Sequence, residues 1–401
     1  MKIRNLFMIY LVGCLLLSGC HKIPSSSETG SGENTNNQGN GSISTSDWGR
    51  GESPVPNRRM GLDRNFPEHI ANGENGIYLL DRSFVYYLEN GTDVLIPLCG
   101  RPDCTHNSAD CNAYIDGSEI TYYNGFLYVF CGESDGKIVR MDPDGSNHVT
   151  MFDLTESVDK IGGDSIGSCM MTEGYCIFTV EKWIEVDDGD GSDITQQHKK
   201  QWIGSFYCKI DGSDGEPKES SGKYEDITVS PLYSCGNIIL AFANEPQNGG
   251  EYASYWQWHP ETDTYTYLMD TPRYSGYYDD TAGYYHMDGA IRRYTIATGK
   301  EEVMAQTGLT GAYHVRAFPD CLVLFTSSEE DYTLYVYNWA YELVEAVDVS
   351  VCKGKHMPSV LIGETPDRFI LSDAEFNYYY INKSELGNGT AEVHPIENFL
   401  T

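Results

Sequence analysis

The chain has 401 residues, with 59 acidic against 27 basic side chains and a formal charge of -32. So acidic a surface repels a phosphate backbone, which excludes nucleic acid as a partner. Thirty Tyr and 41 Gly, with almost no long apolar stretch of 3.6-residue period, point to β structure, and the length suits two or three ordinary domains or one large all-β domain.

Residues 1–19 read as a signal peptide. Lys2 and Arg4 make a short positive region, and residues 5–17 form an apolar run too short to span a bilayer. The run ends in Leu17-Ser18-Gly19-Cys20. This resembles the lipobox of bacterial lipoproteins, which implies diacylglycerol on the Cys20 sulfur, cleavage before Cys20 and acylation (palmitate or a similar chain) of its new amine. An ordinary secretory signal with a coincidental cysteine is the other reading. Two or three acyl chains hold a protein firmly, since each buried methylene contributes about 0.8 kcal/mol. Residues 20–61 follow as the lipidated cysteine and a tether. Residues 25–47 are mostly Ser, Gly, Asn and Thr and cannot bury enough apolar surface to offset their ordering entropy. A linker of ~30 residues spans roughly 30 Å as a random coil.

Residues 62–401 read as repeated hairpins. Residues 120–130 place two strands around Asn124-Gly125, a pair that accepts the positive φ a tight hairpin needs. The layout recurs at 170–180 around Glu173-Gly174, 231–243 around Cys235-Gly236, 284–294 around Asp288-Gly289, 315–326 around Pro319-Asp320, and 359–372. Each is followed by a second strand pair, as at 137–141, 205–210, 255–267 and 334–344. With an opening unit at about 66–99 there are seven units, whose spacing matches the ~40–50 residues of propeller blades. The expected fold is all-β, a β-propeller of seven four-stranded blades, with a pair of β-sandwiches as the rival architecture. A monomer is expected.

The turn Asp142-Pro143-Asp144-Gly145-Ser146-Asn147 resembles the Asp-x-Asp-Gly-Ser-Asn turn of Tol-type propellers, and is similar to the bacterial propeller domain named after the low-density-lipoprotein-receptor-related protein. Residues 94–106, running to Cys111-Asn112-Ala113-Tyr114, resemble uncharacterised propeller lipoproteins of clostridia-type anaerobes. The likeness covers lipobox, tether and propeller. It implies a propeller fold and a place on the extracytoplasmic face of the cell membrane, and no established activity.

Cys99, Cys104, His106 and Cys111 gather three thiols and an imidazole in a short, loop-like segment. A Cys3His set is a common closed zinc shell, and a metal held so would be structural. The spacing departs from a Cys-x2-Cys knuckle, and a disulfide is the competing reading for an exported domain. Cys131, Cys176, Cys208 and Cys321 sit singly beside apolar strands and read as small buried hydrophobes.

Other patterns look chemical and read as scaffold. Gly163-Asp164-Ser165-Ile166-Gly167 lacks the following helix of a nucleophile elbow. The acidic run 187–193 has Lys199 where a calcium loop needs Glu, and Asp142, Asp144 and Asp153 have Asn147 where such a loop needs Gly, so both read as turns. His286, His314 and His356 are isolated. Aromatics crowd 252–278: Tyr252, Tyr255, Trp256, Trp258, Tyr265 and Tyr267 suit a core, while Tyr274, Tyr277 and Tyr278, near Pro272 and Gly276, are the candidates for ligand contact. The functional expectation is a tethered propeller that binds a peptide, glycan or partner protein. The alternatives are an exported glycan hydrolase or lyase, with carboxylates drawn from separate blades, and a scaffold subunit of a surface assembly.

Overall fold

A computed structural model describes residues 69–398, apart from 133–135, 172–173, 187–196, 222, 225–226, 229, 236–237, 244–252, 272–275, 279–280, 312, 327–331, 353–359, 374 and 376. Among these residues the chain is almost wholly β. Antiparallel hairpins follow in chain order and, among the described residues, build seven sheets of four consecutive strands each, spanning 70–97, 119–153, 165–220, 230–271, 277–306, 314–348 and 360–395, the first of which gains a fifth strand from the end of the chain. A two-stranded ribbon, Lys223–Tyr224 with Ile227–Thr228, links the third and fourth. The described helical elements are short, the longest being Thr155–Lys160. In every four-stranded sheet the strands pair in sequence order, the arrangement expected of a propeller-like all-β fold.

The strands are apolar on both faces because each sheet is covered on both. Leu322 and Leu324 pack with Tyr284 and Ile291 of the fifth sheet, whereas Val323 and Phe325, between and beside them, pack with Phe369 and Ile381 of the seventh. The period-2 alternation of a strand thus delivers successive residues to two different cores. Leu79 and Leu80 divide in the same way: Leu80 joins Leu127 and Val129 of the second sheet, and Leu79 joins Ile362 and Ile370 of the seventh. Phe130 and Ile138 meet Phe178 and Phe206 between sheets two and three, Tyr207 meets Trp256 and Trp258 between three and four, and Tyr255 and Met269 meet Tyr285 between four and five. Each fully buried Leu, Ile or Phe in these cores contributes about 2–3 kcal/mol relative to exposure.

The first and last sheets are also sewn together by backbone. Glu397–Asn398 runs parallel to Val94 and Leu95 on the outer strand of the first sheet, and the Glu397 amide donates to Asp93 O at 2.8 Å. Arg368 of the seventh sheet donates to Thr92 O and lies over the Tyr380 ring at 4.0 Å.

Turn chemistry agrees with the sequence where glycine marks it. Asn124 and Gly125 sit at φ 50° and 82°, and Asp288 and Gly289 at 53° and 72°. One tight hairpin has no such mark. Arg82 and Ser83, at φ 48° and 68°, connect Gly76–Asp81 to Phe84–Glu89. Tertiary bonds hold this costly conformation: Ser83 Oγ donates to Asp116 at 3.0 Å, and Ser83 O accepts the Ile115 amide at 2.9 Å.

Candidate metal centre and a charged cavity

The loop leaving the first sheet brings Cys99, Cys104, His106 and Cys111 together, with one ligand atom from each inside a mutual separation of 4.8 Å. The backbone makes the reversal. His106 adopts φ 52°, and Arg101 reaches across to Asp110 O at 2.6 Å. His106 Nδ1 lies 3.4 Å from Cys111 Sγ. Amides are aimed at the sulfurs, that of His106 at Cys104 and that of Ala113 at Cys111, each at 3.4 Å. All three cysteines are free thiols, so the disulfide is not formed here. Burial opposes the Cys99 thiolate, but the amides of Arg101 and Asn112 and the thiols of Cys111 and Cys104 outweigh it and hold Cys99 below its ordinary range. Cys111 is pushed up to about 12, by burial first and then by Cys104 and Cys99, against the Ala113 amide. Three crowded sulfurs cannot all ionise without a cation between them. The donor set, its amide donors and the lack of a bridge fit a soft divalent metal, and the cluster could hold one.

The turn of the second sheet braces this loop. A Cβ on Gly145 would lie 1.9 Å from Leu98 O, so only glycine lets the turn approach, and φ 81° there favours glycine independently. His148 Nε2 sits 3.0 Å from Asn112 O and 3.1 Å from Gly145 O. The acids of the turn serve the turn: Asp142 accepts from Asn147 at 2.6 Å, Asp144 accepts from Ser146 Oγ at 2.6 Å, and Asp153 accepts from Thr155.

Several sequence candidates resolve into scaffold. Ser165 opens the strand Ser165–Met171, with a helix before it rather than after, so the Gly-x-Ser-x-Gly run makes no elbow. His286 lies 2.9 Å from Thr307 Oγ1, and His314 stacks on Phe325 at 5.2 Å. Tyr255, Trp256, Trp258 and Tyr265 are core, and Trp258 meets Tyr207 edge-on at 4.9 Å. Cys131, Cys176, Cys208 and Cys321 are buried, but Cys176 and Cys208 do not sit singly: they face each other across paired strands, and Cys176 Sγ lies 3.5 Å from Cys169 Sγ. Cys20, the tether, Tyr252, Tyr274, the acidic run 187–193 and His356 lie outside the described residues. Tyr277 and Tyr278 form a two-residue strand pairing with Tyr284 and Gly283, and their side chains also lie outside the description.

A second feature escaped the sequence. A cavity of about 330 Å³ opens where the turns after the first strands of sheets one, six and seven meet. Ile70, Leu361, Ile362 and Pro319 give it apolar walls, and Glu74, Arg316, Asp320, Glu364 and Lys383 give it charge. Lys383, 5% exposed, places Nζ 3.0 Å from Asp320 Oδ2 and 2.5 Å from Glu364 Oε2. Burial pushes the Glu364 carboxyl up, with Lys383 opposing and Asp320 adding to the rise. Burial works against the Lys383 ammonium, yet Glu364 and then Asp320 outweigh it and raise its pKa. No local motif could announce this group, because its members come from three sheets.

No family model matches the chain, and no curated protein sequence matches it. Among solved structures, the chain is similar to PorZ, a surface component of the type-IX secretion system of Porphyromonas gingivalis, at 11% identity and TM-score 0.46 over 85% of this chain and 40% of that one. It is similar to dipeptidyl peptidase 4 of the same organism at 9% identity and TM-score 0.38, over 86% of this chain and 52% of that one. It is similar to the acylaminoacyl peptidase of Pyrococcus horikoshii at 10% identity and TM-score 0.42, over 80% and 52% respectively. The chain therefore spans well under two thirds of each of these proteins. Likenesses this loose say nothing of activity, and the architecture rests on the sheets themselves.

Proposed function

We propose that the chain is a lipid-tethered, extracytoplasmic binding module, built as a closed propeller of seven blades. Support for seven blades and closure comes from the cyclic order of shared cores, the last of which joins the seventh sheet to the first. The run Leu17-Ser18-Gly19-Cys20 supports acylation at Cys20 and attachment to the cell membrane. Zinc on Cys99, Cys104, His106 and Cys111 would pin the loop between the first two blades. Four protein ligands leave no position for a reacting water, so its role is structural.

The observation that carries the binding role is the cavity, which is concave, apolar-walled and supplied with a few convergent charges. Peptide and glycan arrays probed with the full-length protein in detergent test it. Retention of a ligand recovered with unchanged mass is the expected result. Recovery of cleaved products would favour a hydrolase or lyase instead, and retention on neither array would sink the reading. The tether has its own test: the Cys20→Ala protein should leave the detergent phase, and firm membrane attachment after processing would refute acylation there.

A further inference from the structure

The chemistry of the cavity narrows the ligand. Glu74, Asp320 and Glu364 face Arg316 and Lys383, so the lining charges carry one negative charge in excess. Lys383 is the one hydrogen-bond donor that the described residues offer to either Asp320 or Glu364. It contacts a single oxygen of each, Oδ2 and Oε2. Asp320 Oδ1 and Glu364 Oε1 therefore have no protein donor among the described residues. The side chain of Asp320 is 41% exposed and that of Glu364 17%, which leaves both carboxylates accessible from solvent. Two half-satisfied carboxylates on a partly dry wall accept a charge-assisted hydrogen bond well. A sugar finds less here, because the one aromatic side chain lining the cavity, Phe318, is 1% exposed and packs against Phe369 at 5.1 Å, offering no ring face.

We propose that this cavity binds a primary ammonium group attached to a short aliphatic body, the chemistry of a peptide amino terminus with an aliphatic first residue. The ammonium donates to Asp320 Oδ1 and Glu364 Oε1, and the hydrocarbon lies on Pro319 and Pro366, apolar lining residues that keep exposed surface. Lys383 fixes the two carboxylates from behind, and its charge together with that of Arg316 disfavours a dication. This assignment rests on the binding-module reading and specifies its ligand.

Calorimetry with the full-length protein in detergent at neutral pH provides the test. The probes are the tripeptide Leu-Gly-Gly, its N-acetylated form, and isoamylamine, which separates a free amine from a peptide as the source. Leu-Gly-Gly should bind saturably at or below about 1 mM, and acetylation should weaken it about tenfold or more. Asp320→Asn should weaken it by a similar factor. Because the acetylation comparison uses the unaltered protein, it stands even if that variant folds poorly. Binding of isoamylamine without the tripeptide would support the ammonium site and assign it to free amines. Equal binding of the free and acetylated peptides, or no saturable binding by any probe, would overturn the proposal. If an array ligand is nonetheless retained intact, only the ammonium assignment fails and the binding module stands.

Discussion

Replacing Leu79 and Ile370 by Ala, singly and together, tests whether the first and last sheets share a core in solution. The two residues lie in different sheets and in one cluster, and neither has measurable exposure. Truncating a Leu or Ile so buried removes its transfer free energy and leaves a cavity, about 3 kcal/mol for each. Residues sharing a packed cluster also couple, so the double variant should depart from the sum of the singles by about 1 kcal/mol. Urea unfolding followed by tryptophan fluorescence reads both quantities. With a slope near 3 kcal/mol per M, each single substitution should move the midpoint by about 1 M. Losses below about 1 kcal/mol that add without coupling would mean that the seam is open to water, and the closed ring would be refuted.

Cys104→Ser should abolish stoichiometric zinc in protein purified under reducing conditions and lower the melting temperature; full zinc retention would show that Cys104 is not a ligand. Gly145→Val should cost about 2 kcal/mol or more and weaken zinc retention, because the added Cβ meets Leu98 O next to Cys99; unchanged melting and metal content would dismiss the bracing role. Lys383→Met should destabilise the protein by about 3 kcal/mol near neutral pH, since it strands Glu364 beside Asp320. The sign with pH is fixed by the raised Lys383 pKa. Its stabilisation is complete below the ordinary lysine pKa of 10.5 and is lost as pH rises beyond it, so on the alkaline side the gap between variant and parent should narrow only in strongly alkaline solution; in acid it should narrow as Glu364, whose pKa burial raises, takes up a proton. A gap constant with pH would mean that the ammonium is not held as described.

Different features were legible in the sequence for different physical reasons. Asn124-Gly125 and Asp288-Gly289 announce their hairpins because few residue types accept positive φ, whereas Arg82-Ser83 adopts the same geometry under tertiary bonds that no local pattern reveals. The Cys-His cluster was readable because its donors fall within one loop and soft ligands are rare. Its bracing by Gly145 was not, since the contact with Leu98 O depends on how the second sheet meets the first. Runs such as Leu322–Phe325 pointed to strands, and burial on both faces explains why they lack polar alternation. The cavity stayed hidden because Glu74, Arg316, Asp320, Glu364 and Lys383 are ordinary surface residue types, and only the meeting of three sheets brings them together.

The seam between the two end sheets has a kinetic consequence. Arg368 and the Thr92 carbonyl that it grips are 276 positions apart, and the parallel strand Glu397–Asn398 comes later still. A nascent chain must therefore hold Ile77, Leu79 and Leu88 unsheltered while every intervening hairpin forms. Local hairpins form in microseconds, but contacts of such sequence separation carry the full entropy of loop closure and arrive last. The slow step of folding should be the docking of the two ends, and a chain halted before residue 360 would expose one bare apolar sheet face prone to aggregation.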